Sequence, residues 1–255
     1  MKNQKILVLS DLKDTTNSTL KSAVSIASII KADIDFFHVK KPINVVNNES
    51  QLSAIRDLNK DFSATNKKIK NIIAPISEKY RQAISYNFSF GNVKNEIDQY
   101  IKQKTPDIII LGKQKTNTVN IIGNSITDYV LKKFNGIVFI IQHKIELEPN
   151  KLIPLGLLNH NKNSLTTSVT KKLLAHVSSP IISFNVSKNK ESISELNKEV
   201  INYDFDQNSN TIKNLSSYLL KNKTRLLHIN RDQKNLSKSD IKTAINKLNV
   251  SLLIT

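Results

Sequence analysis

Leu7–Val24 reads LVLSDLKDTTNSTLKSAV, and Leu152–Val169 reads LIPLGLLNHNKNSLTTSV, 145 residues further on. Each stretch is a short apolar strand, a polar turn and an amphipathic helix. A second echo joins Ser125–Ile141 (SITDYVLKKFNGIVFII) to Ser239–Thr255 (SDIKTAINKLNVSLLIT) in a helix–turn–strand pattern, at an offset of 114. The repeating unit is therefore a whole domain rather than a short solenoid module. This predicts two tandem domains, 1–144 and 145–255, with HKIELEPN at 143–150 as linker. At the 145 offset Asp11 falls opposite Gly156, so the second copy is expected to lack a site that the first carries.

Outward from these anchors, strands and helices alternate. In the first copy the pattern predicts strands at 5–10, 33–39, 84–90, 107–111 and 136–142. Helices are expected at 16–31, 49–82, 93–102 and 125–134, the second bent or broken before Pro75. Asn92 is the expected N-cap of the third helix. In the second copy strands are expected at 151–155, 180–186, 201–205, 225–229 and 250–254, with helices at 164–176, 191–200, 211–221 and 239–247. Short, fully apolar strands such as DIIIL imply a parallel sheet covered on both faces. In such sheets ligands bind beyond the carboxyl ends of the strands, where the strand order switches. The ends of the first and fourth strands are the places to look. The apolar fifth strands, GIVFIIQ and NVSLLIT, would make exposed edges that invite pairing with each other.

Composition narrows the function classes. The chain has 255 residues, 39% of them hydrophobic, enough for two cores. Mean hydropathy is −0.30. No apolar run approaches the ~20 residues of a membrane span. The opening MKNQKILVLSD shows no apolar signal region, and there is no Cys. A cytoplasmic protein without disulfides is expected. The net charge is +17, but it is shared, +10 in 1–144 and +7 in 145–255, and only four of the cations are Arg. Base readout and bidentate phosphate contacts favour Arg, so no specific nucleic-acid partner is expected. The five His are scattered, and no metal site is expected.

Two places have chemical character. Asp11 ends an apolar strand; its carboxylate can accept from a ribose hydroxyl or a base amine, or it can serve helix entry. The loop after the fourth strand, GKQKTNTVNIIGNS at 112–125, holds two of the five Gly in the chain. Backbone N–H groups and a helix N-terminus can cradle phosphate there, with Lys113 and Lys115 adding charge and Ser125 capping or donating. The same loop also reads as an ordinary strand-to-helix connection. Carboxylate pairs suited to acid–base work, a P-loop and a nucleophile elbow are all missing.

The ILVLSD opening, FFHV, Gly91–Asn92–Val93 before a helix, DIIILGK, and GNSITDYVL before a strand resemble the universal stress protein family in its tandem form. The resemblance covers nearly the whole chain. It implies Rossmann-like domains, each with a five-stranded parallel sheet in order 3-2-1-4-5, forming a pseudo-dimer within the chain. It implies ATP or AMP over strands one and four of the first domain, with Ser10, Asp11, Val39, Leu111, Gly112, Lys113, Lys115, Gly123, Asn124, Ser125 and Ile126 around it. Asp11 matches the family's base- and ribose-contacting Asp, and Val39 the residue against adenine. The family loop is G-x2-G-x9-G-[ST]. Gly112 matches its first Gly, Lys115 replaces the second, and Gly123 or Asn124–Ser125 stands at the last. Lys115 either reaches phosphate or blocks the loop. The second copy has no Gly loop and is expected to bind no nucleotide. The expected role is a non-catalytic stress-response protein acting through assembly or protein partners, with a further homo-oligomer allowed. Its alternatives are a ligand-free scaffold and a slow ATPase.

Overall fold

Strands such as Ile108–Gly112, buried along both faces, must be covered from two sides. In the computed structural model they are. The structure describes residues 3–41, 51–113, 126–143, 145–160, 165–186, 198–206, 208, 210–231 and 238–255, with 51–54 and 238–240 described in backbone alone. The first half runs β1 (Gln4–Ser10), α1 (Thr16–Ile30), β2 (Ala32–Lys40), α2 (Gln51–Tyr80), β3 (Ile84–Phe90), α3 (Val93–Lys104), β4 (Ile108–Gly112), α4 (Ile126–Lys133), β5 (Ile137–Ile141). The second half runs β6 (Leu155–Leu158), α5 (Ser168–Ala175), β7 (Ile181–Asn185), β8 (Val200–Asp204), α6 (Thr211–Lys221), β9 (Leu226–Ile229), α7 (Lys238–Lys247), β10 (Ser251–Ile254).

Each half has the expected 3-2-1-4-5 order, but the two sheets are not separate. They join into one ten-stranded sheet, β3-β2-β1-β4-β5-β10-β9-β6-β7-β8. The joint is the antiparallel pair β5–β10, with Ile140 opposite Leu252, Phe139 opposite Leu253 and Val138 opposite Ile254. All six side chains are 2% exposed or less. Because Val138 and Leu252 are 114 residues apart, as are Ile140 and Ile254, the register is two-fold symmetric about Phe139–Leu253. The apolar fifth strands thus remove each other's edge. One hydrophobic cluster, with α1, α2 and α5, covers one face of the sheet. A second, with α3, α4, α6 and α7, covers the other. The linker lies against α1: the Leu147 N–H donates to Ser22 Oγ (2.9 Å), and Ser25 Oγ donates to the Glu148 carbonyl (3.2 Å).

Three expectations change. The long helix continues through Pro75 instead of breaking. Ile69 and Ile73 before the proline and Ile76 after it are all buried, so packing on both sides offsets the lost backbone bond. The strand expected at 151–155 forms later, as β6. Pro154 cannot donate to a ladder; its carbonyl accepts from the N–H groups of Arg225 and Leu226 instead, and Ile153 makes only an isolated bridge to Val177. Finally, the repeat is offset by 149 at its first strand, not 145. Leu9 pairs with Leu111 and Leu158 with Ile229. Leu111 and Ile229 in turn pair with the equivalent residues Ile140 and Ile254. His160, not Gly156, therefore stands opposite Asp11. Gly156 is a mid-strand residue where a Cβ would come within 3.0 Å of Phe184 and 3.1 Å of Leu227. The helix expected at 191–200 falls largely outside the described residues.

Candidate functional site

The chain leaves β1 through a strained turn. Leu12 adopts φ 58, the left-handed region, while its side chain is buried. A non-glycine residue there costs about 1–2 kcal/mol. Two consecutive side chains hold the turn. Ser10 Oγ accepts from the Leu12 N–H, and Asp11 Oδ1 accepts from the Lys13 N–H, both at 3.1 Å. The Asp11 carboxylate also lies 3.8 Å from the Lys13 ammonium and keeps 31% of its side-chain surface exposed. Asp11 does not cap α1; Thr15 occupies the cap position without a side-chain capping bond. The carboxylate is thus held in the turn at the carboxyl end of β1 with part of its surface exposed.

Gly112 brings α1 up to the end of β4. A Cβ at this position would sit 2.5 Å from Thr15 Oγ1 and 2.7 Å from Thr19 Oγ1. These distances leave no room for a side chain, so the glycine is required by packing. Thr16 Oγ1 lies 2.9 Å from Ser10 Oγ, and Thr19 Oγ1 donates to the Thr15 carbonyl (2.8 Å). The threonine run TTNST, which the sequence reading passed over, therefore walls the site. Beside it, His38 Nδ1 lies 2.8 Å from the Ser10 carbonyl. Burial pushes the His38 imidazole pKa down, against the opposing pull of that bond and of Asp11.

Ser10, Asp11 and Gly112 thus meet at the carboxyl ends of β1 and β4. Leu111 is buried, and the half-buried Val39 and Ile126 pack against the same cluster. Lys115, Gly123, Asn124 and Ser125 lie outside the described residues. Lys113 behaves otherwise than expected. Its N–H donates to the Ile141 carbonyl (2.7 Å), and its ammonium crosses the β5–β10 joint to donate to the Leu248 carbonyl at the end of α7 (2.7 Å). Burial alone pushes this ammonium down to about 8.

The second half carries different side chains at the equivalent strand ends. Asn159 replaces Ser10, and its Oδ1 accepts from the Val186 N–H (2.6 Å), Val186 being the counterpart of Val39. His160 replaces Asp11. His228 is fully buried in β9, with Nε2 3.0 Å from Thr255 Oγ1, and burial pushes its imidazole down to about 3, so it stays neutral. Arg231 is the counterpart of Lys113. Its N–H donates to the Thr255 carbonyl (2.8 Å), and its guanidinium donates to the Phe134 (2.6 Å) and Gly136 carbonyls across the joint. The sequence held one unread signal for it: Arg231 follows the β9 strand as Lys113 follows β4. A cavity of about 270 Å³ also lies in this half, but at the opposite, amino ends of the strands, lined by Pro154, Leu155, Pro180 and Thr224 among others. Among the described residues no group of three or more His, Asp or Glu is placed to hold a metal, and no helix is long and apolar enough to cross a membrane.

A doubly wound parallel sheet, with an acidic residue after its first strand and a packing glycine after its fourth, defines a Rossmann-like protein with a crevice at its topological switch point. The universal stress protein family model matches residues 2–142, and the chain belongs to this family. A universal stress protein from Archaeoglobus fulgidus DSM 4304 superposes with a TM-score of 0.70 at 13% identity, covering 98% of this chain and 95% of that one. A protein of unknown function from Pseudomonas aeruginosa PAO1 superposes at 0.60 and 11% identity, covering 99% and 92%. A universal stress protein from Pseudomonas aeruginosa UCBPP-PA14 superposes at 0.57 and 13%, also covering 99% and 92%. These likenesses span both halves and bear out the tandem fold. Among curated proteins, none matches the sequence.

Proposed function

We propose that this chain is a non-catalytic, cytoplasmic stress-response protein whose first domain, 1–144, binds an adenine nucleotide, ATP or AMP, at the carboxyl ends of β1 and β4. The second domain, 145–255, is a structural partner with no ligand of its own. The carrying observation is the turn after β1. Asp11 is held there by the Lys13 N–H and ammonium with its carboxylate still partly exposed, beside the end of β4 that Gly112 opens to α1. In this reading the carboxylate accepts from the ribose or base, Val39 lies against the adenine, and the Gly112 end of β4 faces the phosphates. Protein partners, rather than nucleic acid, fit a positive charge that is spread and rich in Lys.

A ligand-free scaffold is the second reading. It is favoured by Lys113, whose ammonium is engaged by Leu248 instead of facing the crevice. Mass spectrometry of small molecules released from the purified protein, together with a phosphate-release assay on ATP, tests the proposal. A released adenine nucleotide without turnover is expected. Steady turnover contradicts the non-catalytic role, and an empty protein that takes up no added ATP or AMP supports the scaffold.

A further inference from the structure

Lys113 and Arg231 leave equivalent strand ends, yet the bonds they make across the joint differ in kind. Arg231 presents a rigid fork to two carbonyls, Phe134 at the end of α4 and Gly136 just before β5. Lys113 offers three donors on a flexible stem. Among the described residues its ammonium meets one acceptor, the uncharged Leu248 carbonyl. We propose that the Lys113–Leu248 bond is a latch released by anions: a phosphate group held at the carboxyl end of β4 takes the ammonium from Leu248, and occupancy of the first half thereby frees the end of α7 in the second. The latch rests on the nucleotide reading above and adds to it a route between the halves.

Three observations carry the inference. The Lys113 backbone is anchored by its N–H bond to Ile141 in β5, so its Cα stays at the mouth of the crevice while the four-carbon stem swings. Among the described residues the half-buried ammonium has no carboxylate partner, and burial lowers its pKa. A phosphate oxygen offers the ammonium an opposite charge as well as an acceptor, which the uncharged Leu248 carbonyl does not, so phosphate outcompetes the carbonyl. On the far side, Leu248 is buried at the end of α7, and its N–H donates to the Ala244 carbonyl, closing the last turn that Lys113 caps. Release of this cap leaves that turn free to fray. The Arg231 fork, beyond reach of the first crevice, keeps the halves together.

The test is hydrogen exchange on the full chain with and without saturating ATP, with binding followed in parallel by calorimetry. The latch requires that ATP speed exchange severalfold at the amides of 246–251. It also requires that Lys113→Met show the faster rate without ATP and no further response, while Arg231→Met retains the response. If ATP binds and exchange at 246–251 is unchanged in the wild type, the latch is overturned while the nucleotide reading stands. If calorimetry detects no ATP binding the latch falls, and if AMP does not bind either the nucleotide reading falls with it. The wild-type comparison decides on its own should either variant fold poorly.

Discussion

Lys113 and Arg231 reach across the same joint in opposite directions, each to the residue that ends the other half's last helix. Lys113 donates to Leu248 and Arg231 to Phe134. These acceptors are themselves equivalent, 114 residues apart, so the two bonds are related by the two-fold about Phe139–Leu253. The pair fastens the rim of a joint whose centre is entirely apolar.

The two fasteners differ in strength. Arg231→Met removes charged hydrogen bonds to two carbonyls and is expected to cost about 2 kcal/mol in urea unfolding at pH 7. Lys113→Met removes a half-buried cation that has no counter-ion among the described residues and is expected to stay within about 1 kcal/mol of wild type, because the desolvation cost is relieved with the bond. The reverse ranking contradicts the assignment of the two roles.

Stability should depend on pH through Lys113. Its folded pKa of about 8 lies below the 10.5 of the unfolded chain, so the folded state disfavours the charged form. Between these values the unfolded chain binds more protons, and stability rises with pH. Urea midpoints of wild type relative to Lys113→Met should therefore climb from pH 8 to pH 10. Parallel curves over that range rule out a buried ammonium.

Gly112→Ala places a Cβ against Thr15 and Thr19 and is expected to destabilise the fold by about 1–3 kcal/mol through overpacking. Unchanged thermal unfolding shows that α1 withdraws from β4 without cost.

A fragment of residues 1–144 exposes β5, whose Val138–Ile140 face is sealed by β10 in the full chain. It is expected to pair with a second copy or to aggregate. Size-exclusion chromatography that finds a stable monomer contradicts the joint's role in covering that edge.

Most of the fold was legible because its cues are local. The alternation of apolar strands with amphipathic helices placed both halves and the parallel sheet, the family resemblance implied the 3-2-1-4-5 order, and the apolarity of GIVFIIQ and NVSLLIT foretold their pairing. The β6 register was not legible. The similarity of LVLSD to LIPLG suggested one alignment, but Pro154 cannot join a ladder, and the strand forms four residues later than that alignment requires. Asp11 and Gly112 were legible from their positions at strand ends. Their wall of threonines was not, because Thr15 and Thr19 matter only once α1 is seated on β4. The destination of Lys113 was hidden for a stronger reason: its acceptor is a backbone carbonyl 135 residues away, with no side-chain chemistry to betray it.

The central claim, a nucleotide at the carboxyl ends of β1 and β4 held in part by Asp11, is tested most directly by calorimetric titration of ATP and AMP into wild type and Asp11→Ala. The account predicts one site per chain for at least one nucleotide, weakened in the variant by about 1–3 kcal/mol, the scale for a ligand group left without its partner. Binding that is absent from the wild type, that shows two sites per chain, or that is equally tight in Asp11→Ala contradicts it.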